Sequence, residues 1–94
     1  MKAENVNELL TQINIALPLI RSNYEAQPTQ MLELILQRYE AAKEILESKP
    51  ASNIAKDMFE ITGGARAYLE SANDYLNPML EELYKCEELI DAAD

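Results

Sequence analysis

The chain has 94 residues, the size of one small domain with a single core, and 48% of them are hydrophobic, enough to build that core. Seventeen acids face eight bases and histidine is missing, for a net charge of −9 at pH 7. A surface this negative repels phosphate backbones and anionic headgroups, and a chain without histidine cannot assemble Ser-His, Cys-His or His-ligated metal chemistry.

Two glycines, one phenylalanine and no tryptophan, set among many Ala, Leu, Glu and Met residues, make a helix-forming composition. No basic-plus-apolar leader pattern opens the chain, and no run of ~20 apolar residues could span a bilayer. The lone Cys86 has no internal disulfide partner. The expectation is a soluble, cytoplasmic, all-α protein, with residues 1–94 forming one helical-bundle domain.

The first predicted helix covers roughly residues 4–24. At 100° per residue, Val6, Leu9, Leu10, Ile13, Ala16, Leu17, Ile20 and Tyr24 share one face. Pro18 falls on the opposite side, where it removes a backbone hydrogen bond and bends the helix around the core. The stretch INIALPLI, residues 13–20, carries more apolar side chains than one face needs. Ile15 and Leu19, an i,i+4 pair, project away from the core stripe and are read as a partner-binding face.

The second helix is expected over about 29–48, with Pro28 near its first turn. Met31, Ile35, Tyr39, Ala42, Ile45 and Leu46 keep helical phase, and the short link to the first helix makes the two an antiparallel hairpin.

A third helix is expected from Ser52 or Asn53, either of which suits an N-cap, to about residue 73. Ile54, Met58, Ile61, Ala65, Tyr68, Leu69 and Ala72 share a face, with Phe59 at its margin as a further partner-binding candidate. The same phase runs on through Leu76, Met79, Leu83, Cys86 and Ile90. Phase alone would therefore make one helix of ~40 residues, whose far half would overhang the hairpin. Against this stand Gly63–Gly64, each costing ~1 kcal/mol in a helix interior, and SANDYLNP, where Asn77–Pro78 is a cap and first-turn pair. Turn chemistry is given the greater weight. The expected fold is a small antiparallel bundle of four helices, up-down-up-down, the fourth over 78–92. The alternative is a three-helix protomer whose third and fourth helices are one long kinked helix.

Chemistry-bearing motifs are scarce. ITGGAR has neither the spacing nor the lysine of a P-loop, no calcium loop is present, and adjacent acids such as Glu81–Glu82 diverge by ~100° on a helix. Catalytic, cofactor-binding and metal-ligating residues are therefore expected to be none. Cys86 lies on the apolar phase and reads as a small buried hydrophobe.

From Glu81 to Asp94 there are six acids and one lysine, a net −5. Glu81, Tyr84, Glu88 and Asp91 form one outward stripe, readable as a solvated helix end or as an acidic strip with an aromatic anchor. Two functions are compatible with these features. The first is a non-catalytic interaction module, such as an adaptor, chaperone-like binder or regulator, that docks through an apolar helix face and self-associates as a homodimer. The second is an acidic inhibitor that occupies a basic, nucleic-acid-binding site on another protein. Neither needs a cofactor, a membrane or direct contact with nucleic acid.

Overall fold

A computed structural model of the chain describes residues 1–93; Asp94, the last acid of the C-terminal run, lies outside the described residues. Four α-helices form an elongated bundle about 37 Å long: α1 (Ala3–Ala26), α2 (Gln30–Ser48), α3 (Gly64–Ala72) and α4 (Pro78–Ala92). No strand occurs among the described residues. The bundle is cyclic: α1 packs against α2 and α4, and the short α3 closes the remaining gap between them.

α1 is the helix with the most to bury, since two long helices flank it. Val6, Leu9, Ile13, Ala16, Leu17 and Ile20 are buried along its centre. Leu10 and Leu19 pack against the core from its two margins. The helix runs unbroken through Pro18, whose ring lies on the exposed side. Thr29 caps α2, its hydroxyl accepting from Leu32 N–H at 3.2 Å, so Pro28 lies just before the helix and not in its first turn. The buried residues of α2 are Leu32, Ile35, Tyr39, Ala42 and Leu46.

Residues 49–63 depart from expectation. No third helix begins at Ser52 or Asn53. The chain instead makes two short 3-10 turns, Ala51–Asn53 and Lys56–Met58, joined by extended residues. A helix would align Ile54, Met58 and Ile61; the irregular path buries Ile54, Phe59 and Ile61 and leaves Met58 exposed. α3 starts only at Gly64. Gly63, at φ +89°, takes the left-handed conformation that turns the chain into it. The carboxylate of Glu87 from α4 then caps this helix, accepting from Gly63 N–H at 2.6 Å and Ala65 N–H at 3.2 Å.

The break between α3 and α4 is complete. Asn73, also left-handed (φ 52°), ends α3, its N–H donating to Leu69 O at 2.9 Å. Asn77 starts α4, its side chain accepting from Met79 N–H at 3.0 Å, with Pro78 as the first helical residue. The single long helix is thereby excluded, and Leu76, whose phase matched the core, is not in a helix at all. Met79, Leu80, Leu83, Cys86 and Ile90 complete the core from α4.

Candidate functional site

The side chains expected to meet a partner divide into three groups. On α1, only Ile15 is substantially exposed, at 48%; Leu19 is drawn into the margin of the core. Leu19 lies on the arc that faces α4, the side on which Gln12 donates to Glu82 Oε1 at 2.8 Å and Asn77 Nδ2 donates to Asn23 Oδ1. A helix packed from two sides buries a wider arc than a single stripe, and most of the surplus in INIALPLI is used there. Phe59, expected at an exposed margin, is 8% exposed and belongs to the core, because residues 56–60 do not continue as a helix. The same break sends Lys56 and Glu60, four residues apart, to different partners. Lys56 donates to the backbone carbonyls of Asp91 and Ala93, while Glu60 approaches Arg38 at 3.6 Å.

The stripe on α4 is where the structure concentrates exposed apolar surface. Glu81, Tyr84, Glu88 and Asp91 are all exposed, with Tyr84 at 43%. Glu81, Tyr84 and Glu88 line a shallow groove of about 620 Å³ between the start of α4 and the turn that precedes it; Asp91 lies beyond its end. The other wall comes from residues that the helical-phase reading passed over. Leu76 is 95% exposed and Tyr75 70% exposed, with Leu69, Pro78 and Leu80 beside them. Six large apolar side chains are exposed among the described residues, and three of them, Tyr75, Leu76 and Tyr84, meet at this groove. Scattered exposed apolar residues are ordinary, whereas a cluster of them in a concavity is a candidate binding surface. The available sequence signal was SANDYLNP itself, an apolar pair enclosed by turn-forming residues.

The turn is held at both ends. Between the left-handed Asn73 and the cap residue Asn77, the chain is tied down by a polar cluster centred on the Asn77 amide. Its Nδ2 donates to Asp74 Oδ2 at 2.8 Å and to Asn23 Oδ1 at 2.6 Å, while its Oδ1 caps α4. Tyr68 of α3 donates its hydroxyl to the same Asp74 oxygen at 3.0 Å, and burial together with that bond raises the hydroxyl above its ordinary pKa. Three helices and the turn thus share one hydrogen-bonded hub. Tyr75 and Leu76, between its anchors, are exposed to solvent.

Charge around the groove is negative with one cation. Lys85 lies 3.5 Å from Glu81 and 3.4 Å from Glu82, and its pKa is raised chiefly by the hydrogen bond to Glu82. Glu87 is turned away, committed to capping α3. No group of three or more potential metal ligands converges among the described residues.

Two buried ionisable groups do not line the groove. Cys86 is buried, which pushes its thiol up to about 12, and burial likewise raises the hydroxyl of Tyr39. They are close enough to influence each other's ionisation. A smaller cavity of about 130 Å³ lies between α2 and residues 60–67, with Arg38 and Glu60 among its lining side chains.

The fold and its groove define a class: a small acidic four-helix bundle that presents a fixed apolar turn beside an acid-bearing helix. The chain belongs to the YeeD family, since the family model described as "YeeD uncharacterised protein" matches residues 4–94. Among curated relatives, the "Uncharacterized protein YeeD" of Bacillus subtilis (strain 168) is 41% identical over 91 residues, covering 93% of this chain and 90% of its own. No solved structure matches the chain. No helix among the described residues is long and apolar enough to cross a membrane.

Proposed function

We propose that the chain is a non-catalytic protein-docking module whose working surface is the groove at the α3–α4 corner. One observation carries the reading: Tyr75 and Leu76 are held out in solvent by a hydrogen-bonded turn, directly beside the half-exposed Tyr84. Full burial of a side chain of that size is worth ~1.5–3 kcal/mol, so a fixed turn that exposes two of them offers ready-made binding energy. Aromatic anchors fixed before binding lose little conformational freedom, which is where affinity in small interfaces is gained.

The reading moves docking away from the outer arc of α1, where Ile15 is left without its partner Leu19. It also absorbs the acidic strip, because Glu81 and Glu88 line the groove. An inhibitor that mimics nucleic acid would be better served by an uninterrupted array of acids. Here the acids alternate with apolar side chains, which favours a docking groove.

A displayed random-peptide library, selected on the folded protein, tests the proposal. Selected peptides should lose at least ~10-fold in affinity, or ~1.4 kcal/mol, on Leu76→Ser and Tyr84→Ser while binding Ile15→Ser unchanged. Failure to enrich any peptide, or binders indifferent to both groove substitutions, would overturn it. Binders lost only with Ile15→Ser would return the docking surface to α1.

A further inference from the structure

Charge on this chain is unevenly distributed. Between residues 70 and 91 there are seven acids and one base, Lys85, so this stretch carries six of the nine net negative charges. Glu82 and Glu87 are occupied within the fold, the first by Gln12 and Lys85, the second by the start of α3. Glu88 and Glu81 stay on the groove, Glu81 lying 3.5 Å from Lys85, which it shares with Glu82, and Asp91 lies beyond them on the exposed side of α4. Beside these acids the groove is lined by Leu76 of the entry turn and by Leu80 and Tyr84, which lie four residues apart on one side of α4, with Leu80 buried at the floor.

The dimensions narrow the choice of occupant. From Asn77 to Glu88 the groove follows α4 for about 16 Å, the length of three helical turns. No strand edge exists among the described residues for a peptide to extend. A groove with an apolar floor and acids along one side is complementary to a helix with an apolar stripe at i, i+4 and i+7 and cations beside that stripe.

A second copy of this chain fits less well. Pairing two such grooves face to face would bring Glu81 and Glu88 of both copies to one seam, with like charges opposed. Arg21, Arg38, Arg66 and Lys85 are already within ion-pair distance of acids of their own chain, which reduces the cationic surface available for a head-to-tail contact.

We propose that the occupant of the groove is a cationic amphipathic helix of another protein, its apolar stripe seated over Leu76, Leu80 and Tyr84 and its Lys or Arg side chains paired with Glu81 and Glu88. This rests on the docking function proposed above and adds the chemistry of the partner.

The test uses the full chain and three labelled synthetic helical peptides of about 18 residues. One has a leucine stripe flanked by lysines, one the same stripe flanked by glutamates, and one the lysines with glutamine in place of leucine. In fluorescence anisotropy the Lys/Leu peptide should bind at least ~10-fold more tightly than either control, and its affinity should fall steeply with added salt. Glu81→Gln with Glu88→Gln should slow its association and flatten the salt dependence. Tyr84→Ser and, separately, Leu76→Ser should speed its dissociation. Circular dichroism confirms that each variant keeps its fold.

Equal binding of the Glu/Leu peptide, no binding of the Lys/Leu peptide, or binding that survives both groove substitutions overturns the inference. So does a dimer seen by sedimentation that Leu76→Ser abolishes, since the occupant would then be a second copy. If library-selected peptides dock in the groove but are neutral or acidic, the docking function stands and the cationic helix falls. If neither the library nor the three peptides engage the groove, both fall.

Discussion

Asn77→Asp separates two roles that the Asn77 amide combines. As an N-cap, Asp is as good as Asn and is favoured by the helix dipole, so capping alone predicts a change near zero. The hub predicts something different. Asn77 Nδ2 donates across 2.8 Å to the carboxylate of Asp74 and across 2.6 Å to Asn23 Oδ1. In the variant a carboxylate oxygen takes the place of that donor. Two unit charges ~3 Å apart repel by about 1.4 kcal/mol at the dielectric of water and by several times that at an effective value of 20. For this partly buried pair a loss of about 2 kcal/mol at pH 7 is expected. The loss should also depend on pH. Neighbouring carboxylates at this spacing titrate as a pair, and one apparent pKa rises above that of an unfolded aspartate. A raised folded-state pKa gives stability that is fully present below the unfolded value and lost as pH rises through the folded one. The variant should therefore approach the wild type near pH 4 and fall away from it toward pH 7. Urea unfolding followed by circular dichroism across that range measures both effects. A variant within ~0.5 kcal/mol of wild type at every pH would show that the hub does not hold the turn, because a change of that size is typical of an unremarkable surface position.

Phe59→Ala should destabilise by about 3 kcal/mol through loss of buried area and the cavity left behind, whereas Ile15→Ser should stay within ~0.5 kcal/mol; both are read from urea midpoints. No atom from elsewhere in the fold lies within 4 Å of where a Cβ would stand on either glycine, so substitution there reports chiefly backbone conformation. Gly63→Ala should cost ~1 kcal/mol because φ is +89°, and Gly64→Ala, inside α3, should stabilise by up to ~1 kcal/mol, with opposite shifts in thermal midpoint. Above pH 9 the unfolded chain ionises Cys86 from its ordinary value of 9.0, while the folded protein holds it neutral up to about 12. Stability from this group is thus fully present below pH 9 and lost as pH rises toward 12, at roughly 1.4 kcal/mol per pH unit, and Cys86→Ala should remove its part of the slope in alkaline urea titrations.

α1, α2 and α4 were legible because their buried residues repeat at the helical period and because Asn77–Pro78 is a cap and first-turn pair, although helical phase running through it left one long helix as the alternative. Residues 52–63 were misread for a related reason. Ile54, Met58 and Ile61 carry helical spacing, and spacing cannot reveal that two 3-10 turns and extended backbone will bury Phe59 in place of Met58. The glycine pair held the correct signal. Gly63 is the left-handed entry to α3, the one conformation there that other residues resist, and not an interruption within a longer helix. Tertiary pairing stayed hidden throughout: nothing local foretells that Glu87 caps α3 or that Lys56 reaches the last carbonyls of α4. On the candidate site, the stripe through Glu81, Tyr84 and Glu88 could be read from periodicity. Tyr75 and Leu76 could not, because Leu76 happens to continue the core phase of both flanking helices.

That coincidence bears on why the groove exists. A loop leucine beside Leu69 and Leu80 could pack against them and gain ~1.5–3 kcal/mol, and a free turn of five residues would be expected to do so. Here the turn is not free. Asn73 fixes the direction in which the chain leaves α3, and Asn77 fixes the direction in which it enters α4, both through bonds that satisfy backbone groups each helix end must satisfy anyway. Asp74, in turn, is tied to Tyr68 and Asn77. Leu76 is therefore exposed on a turn whose ends are held by the same contacts that join α1, α3 and α4. A partner that covers Leu76 and Tyr75 would gain their burial without paying to order the turn. Binding at this corner should accordingly leave the fold unchanged, and loosening the hub should weaken the fold and the docking surface together.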